Sequence, residues 1–158
     1  MSTLFAFFHH VAAFTLVSAL AVEFILIGQI QSKDATAGPG LTVPVAKRLL
    51  IADAVLGASA TILLVVGLLR VFFFEKGADY YFHSHAFMAK LSIFIVVALL
   101  SIIPTVEFLS WRKALAAGQA PSVRPEKLRL VKKVLHGEML AIVIILLCAA
   151  IMARGGWY

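Results

Sequence analysis

Residues 85–109 read HAFMAKLSIFIVVALLSIIPTVEFL. Between Lys90 and Glu107 the stretch holds no charged residue, and its length exceeds the roughly 20 apolar residues that a helix needs to cross a bilayer. Three other stretches have the same character, at about residues 4–30, 46–74 and 128–153. Together they predict an all-α integral membrane protein. The short connections favour antiparallel neighbours, so residues 1–158 are expected to form one domain, a transmembrane four-helix bundle running up-down-up-down.

Composition agrees. Hydrophobic residues make up 62% of the 158 and charged residues only 14%, and mean hydropathy is +1.00, well outside the range of soluble domains. The first stretch has no basic residue before its apolar run, is too long for a signal-peptide core and carries Glu23 and Gln29. It is therefore read as a retained helix, although Ala35-Thr36-Ala37 after it resembles a cleavage motif. The single cysteine, Cys148, has no intrachain disulfide partner and reads as packing.

The net charge of +6 does not point to nucleic acid, because of where the charges fall. With four spans, the first and third connections share one side. Lys33, Lys47, Arg48, Arg112, Lys113, Arg124, Lys127, Arg129, Lys132 and Lys133 lie there, ten of the fourteen basic residues. Basic loops stay cytoplasmic, so both termini are expected to face away from the cytoplasm. The protein's partners would be the lipid bilayer and either further copies of itself or a larger membrane complex. The opposite end is aromatic, with Phe5, Phe7 and Phe8, Phe72 to Phe74, Tyr80 to Phe82, and Trp157 and Tyr158, residues that suit the headgroup layer. Gly38-Pro39-Gly40 marks a turn, and Pro44 belongs near the first turn of the second helix.

Each apolar run also carries an ionisable group near its cytoplasmic end. Glu23 and Glu107 sit in two copies of Val-Glu-Phe, Asp53 lies in the second run, and His136 and Glu138 in the fourth. Charge inside a membrane is costly and tends to face a bundle interior, so the four carboxylates are expected to converge. His136 and Glu138 are about 200° apart around a helix. Glu138 is taken to point inward, and His136, on the face of Lys132 and Lys133, toward the lipid-water boundary. Asp53, Gly57, Ala60 and Thr61 form a small, polar stripe expected to let a neighbouring backbone approach. Pro104 is expected to kink the third helix beside Glu107. The other reading of the acids is structural, with Glu23 and Glu107 paired to Arg48, Arg112 or Lys133. A manganese, iron or magnesium cluster is a third, although the Glu-x-x-His pairs of di-iron bundles are absent.

At the other end lie His9, His10, His83, His85 and Lys90, with His10 and Lys90 at similar depth. Facing helices of a bundle can hold haem through two imidazoles, which makes His9 or His10 with His83 or His85 the candidate ligands. The alternative is that His83 and His85 merely occupy the headgroup layer. His9 lies on roughly the same helical face as Glu23, at about 320° around the helix.

The runs HHVAAFTLVSALAVEF (9–24), KRLLIADAVLGASA (47–60) and FHSHAFMAKLSIFIVVALLSIIPTVEFLSWRK (82–113) resemble a family of small bacterial four-span inner-membrane proteins known only as a domain of unknown function. The resemblance implies topology but no activity. More distantly, the layout is similar to the HemJ-type membrane protoporphyrinogen oxidases, four-helix proteins that bind haem b. That resemblance implies roles for His10 early in the first helix, Lys90 early in the third and Glu138 in the entry to the fourth. The Trp and Tyr-Leu-Pro-Arg features of that family's first helix have no counterpart here, and its later third-helix histidine is replaced around Pro104 to Glu107.

The expected function is a small membrane redox protein binding haem b. His10 would be the candidate iron ligand, with His9 and His85 beside it. Lys90 would compensate propionate or substrate charge, and Glu23, Asp53, Glu107 and Glu138 would form a proton relay. The alternative is a non-redox membrane protein, either a carrier of protons, metal ions or small solutes or an accessory subunit. Phosphate loops, zinc-type cysteine pairs and nucleophile motifs are absent from the sequence.

Overall fold

A computed structural model describes residues 2–30, 41–74 and 77–154. Helix α1 spans Ser2–Ile30 and α2 Val43–Leu69, followed by a π-helical turn, Arg70–Phe74. A short α3, Ala78–Phe82, lies in the middle connection. The third apolar run forms α4 (His85–Leu100), α5 (Ile102–Ser110) and α6 (Arg112–Ala116). The fourth is α7, Pro125–Ala153. The expected turn at Gly38-Pro39-Gly40 and the aromatic pair Trp157 and Tyr158 lie outside the described residues.

The helix ends follow from local chemistry. Extended Thr42 precedes α2, with Pro44 in its first turn, where a missing N–H costs nothing. Proline also opens α7, at Pro125, slightly ahead of the expected start at Leu128, with Glu126 in the first turn complementing the helix dipole. The third run continues past the expected end at Leu109, and it breaks twice on the way. Pro104 has no N–H to give the Leu100 carbonyl, and its ring crowds that oxygen; α4 stops at Leu100 and the chain turns at Ser101. Beyond α6, Gly118 takes a left-handed φ of 71°. The Gln119 N–H then reaches the Ala114 carbonyl at 2.9 Å and the Gly118 N–H the Leu115 carbonyl at 3.2 Å, the paired bonds of a glycine-terminated helix end.

Helix α1 packs along α2 and also against α7, while α4 and α5 pack on α7. The second helix meets the third run chiefly through α5 and α6. The core is correspondingly lopsided. Leu20, Ile27, Leu49, Phe108, Trp111, Val131 and Leu135 are buried together toward the end formed by the close of α1, the start of α2 and the start of α7. At the other end, where α4 has parted from α2, the bundle is looser. The outside is apolar throughout, with Phe14, Ile51 and Leu140 among the most exposed residues. A hydrocarbon girdle of that extent is unsuited to water. The described residues contain four helices long and apolar enough to cross a membrane.

Candidate functional site: a basic cavity and a carboxylate layer

Where α4 leaves α2, a cavity of about 290 Å³ opens among α1, α2, α4 and α7. Its wall is largely aliphatic and aromatic, including Phe87, Phe94 and Leu63, and its polar groups are His9, His10, Arg70, Tyr81 and Lys90. None of the lining residues is a carboxylate, so the cavity combines apolar walls with positive charge.

Each polar group has a local reason for its place. The His10 ring donates through Nδ1 to the Ala6 carbonyl, one turn back, at 2.6 Å, which leaves Nε2 as the outward nitrogen. The half-buried His9 has its Nδ1 out of contact with solvent and without a hydrogen bond. Gly67 makes room for that ring: a Cβ there would come within 3.2 Å of His9 Cε1. Arg70 begins the π turn, an insertion that re-aims side chains and is common at functional sites. The Lys90 ammonium lies 5.2 Å from the centre of the Phe87 ring, a cation-π contact that holds it at the wall.

His85 is not part of this cavity. It is exposed, and so is His83, which bonds the Asp79 carbonyl at 2.8 Å and lies 3.4 Å from the Asp79 carboxylate. His83 falls on the short α3–α4 link and His85 is the first residue of α4, and both turn outward. The facing-helix histidine pair expected from the sequence is therefore not assembled. His9, His10 and Lys90 do meet, joined by Arg70 and Tyr81.

The carboxylate layer is also divided. Glu23, Asp53 and Glu138 are all buried, from α1, α2 and α7. The Thr105 hydroxyl donates to Asp53 Oδ1 at 2.7 Å, and the Ser101 hydroxyl lies 2.6 Å from Glu138 Oε1. Both hydroxyls flank Pro104, and the broken helix aims them inward. Glu107 belongs elsewhere: Lys127 pairs with it at 2.7 Å and the Trp111 indole donates to it at 3.1 Å. The four-acid convergence is thus corrected to three acids and a separate ion pair, and the partner of Glu107 is Lys127 rather than Arg48, Arg112 or Lys133. The two Val-Glu-Phe copies occupy unlike environments. No cluster of three or more ligating side chains fit for a metal ion occurs among the described residues.

His136 faces outward, as expected, against the Phe24 ring at 4.7 Å. The small, polar stripe on α2 is divided. Asp53 is buried and Ala60 packs on the core, but Gly57 and Thr61 are exposed, and the Thr61 hydroxyl bonds the Gly57 carbonyl at 2.9 Å. Gly57 and Gly67 give a paired prediction. Gly67→Leu should lower the unfolding free energy by about 1–3 kcal/mol through overpacking against His9, whereas Gly57→Leu, with nothing within 4 Å, should not. Thermal melts in detergent compare them.

Four apolar spans around such an interior define an integral membrane protein of the four-helix-bundle class. The chain belongs to the family described as Predicted membrane protein (DUF2214), whose model matches residues 1–156. No curated protein and no solved structure matches it.

Proposed function

We propose that this protein is a small bacterial inner-membrane redox protein that holds b-type haem in the basic cavity, with both termini periplasmic. The observation that carries the reading is the place of His10, for His83 and His136 make the same one-turn-back Nδ1 bond but do not line this cavity. The His10 Nδ1 is committed to a backbone carbonyl at 2.6 Å, the support that fixes the tautomer and orientation of a metal-ligating histidine, while the ring borders a cavity walled by Phe87, Phe94 and aliphatic groups. The cavity suits the group in one further respect: Arg70 and Lys90 supply positive charge for propionates, with no carboxylate in the lining. The likeness in layout to HemJ-type proteins, read from the sequence alone, implies the same roles for His10 and Lys90.

The chemistry that haem supplies is one-electron transfer. The chain's own residues bind and tune. His10 would hold the iron, Arg70 and Lys90 would hold the negative charge of the propionates, and Tyr81 and Phe87, their ring centres 5.4 Å apart, close the wall beside His9. The exposed basic residues Lys47, Arg48, Arg112, Lys113, Arg124 and Lys133, which crowd the far end of the bundle, support that membrane orientation.

Protein purified in mild detergent from haem-replete cells is expected to show a Soret band that shifts on reduction, and His10→Ala to lose it. A colourless wild-type preparation returns the cavity to the alternative class, a carrier or accessory subunit whose site binds another anionic amphiphile. A band that survives His10→Ala removes His10 as ligand.

A further inference from the structure

Away from the cavity, the three buried acids raise a separate question of charge. Glu23 is fully buried, at 0% exposure, and neither of its carboxyl oxygens has a hydrogen-bond partner. The ionisable groups that act on it are Asp53 and Glu138, two more acids. Among the described residues no cation acts on it: α2 contributes Asp53, α7 contributes Glu138, and the third run contributes the hydroxyls Ser101 and Thr105. Glu107 is already matched by Lys127, and His136 lies outside against Phe24. Three ionised carboxylates cannot share so buried a place, because a buried charge without a partner is among the most expensive groups a fold can hold.

Counting hydrogens at Ser101 leads to the same place. Its hydroxyl oxygen is 3.0 Å from the Val97 carbonyl oxygen and 2.6 Å from Glu138 Oε1. A serine has one proton to donate, and a carbonyl oxygen only accepts. Both contacts are satisfied together when Glu138 donates its own proton to Ser101 and Ser101 donates to Val97. Thr105 has no such competitor, and its donation to Asp53 at 2.7 Å steadies an anion.

We propose that Glu23, Asp53 and Glu138 form a proton-binding site, in which Glu23 and Glu138 are neutral acids, Asp53 is the remaining anion, and the site can accept or release one further proton. Ser101 and Thr105 fix which acid holds which proton, and the three groups titrate as a unit. The ligand is the proton rather than a metal ion: among the described residues no ligand cluster fit for a metal occurs. The site does not depend on the contents of the basic cavity, so it stands or falls separately from the haem assignment.

The test is infrared spectroscopy of the full-length protein in lipid at neutral pH, in H₂O and D₂O. Wild type is expected to show deuterium-sensitive C=O stretches of protonated carboxyl groups. One component should vanish in Glu23→Gln and another in Glu138→Gln, and Ser101→Ala should shift the Glu138 component without removing it. The wild-type spectrum decides the matter even if a variant fails to fold. Absence of every protonated-carboxyl band at neutral pH overturns the proposal, as does stoichiometric retention of manganese or sodium with all three groups ionised. Bands that persist unchanged in a folded Glu23→Gln, Glu138→Gln double variant overturn it too.

Discussion

Phe108→Ala is expected to lower the unfolding free energy by about 3–5 kcal/mol, the usual cost of deleting a buried aromatic ring. The side chain is fully buried and packs on Trp111 with ring centres 4.9 Å apart. It follows Glu107 directly, so the cavity left behind would sit under the Trp111–Glu107–Lys127 connection and loosen the start of α7 as well as α5. Leu99→Ala provides the control. That residue is 62% exposed on the apolar exterior, and its truncation should change stability by less than about 1 kcal/mol. Reversible unfolding in mixed detergent measures both. If the two variants lose stability equally, the buried cluster around Phe108 does not anchor this end of the bundle.

The second large effect has the opposite sign. Glu23→Met is expected to raise stability by about 1–3 kcal/mol, because it removes a buried polar group that has no hydrogen-bond partner and leaves a side chain of similar length in a close-packed place. Any activity that needs a proton at this position should be lost in the same variant. Such an exchange of stability against function is common where a site keeps a poorly satisfied group. A destabilised Glu23→Met would mean that Glu23 has a stabilising partner, and the argument from its isolation would fail.

Much of the frame was legible in the sequence because bilayer thickness sets a length that apolar runs must meet. The opposed directions of His136 and Glu138 were legible too, since residues two apart on a helix point to nearly opposite sides. His9, His10 and Lys90 could be brought to one level by counting residues from the membrane edge. Rotation about a helix axis was harder to read. A span that is apolar all round carries no amphipathic signal for which side faces inward, and of the stripe Asp53, Gly57, Ala60 and Thr61 only Asp53 and Ala60 meet the core while Gly57 and Thr61 face out. Arg70 and Gly67 escaped notice as site residues because the π turn and the close approach of His9 exist only once α1 and α2 are packed. Lys127 was missed as the partner of Glu107 since α7 begins earlier than the apolar run implies, at a proline rather than at Leu128. Ser101 and Thr105 did leave a trace, as the two hydroxyls on either side of Pro104.

The interruption at Ser101 also has a mechanical side. Below it, α5 is fastened through Glu107 to Lys127 and through Thr105 to Asp53; above it, α4 leans on α7 and carries Lys90 at the rim of the open chamber. The third span is therefore jointed, and its pivot bears the hydroxyl that touches Glu138.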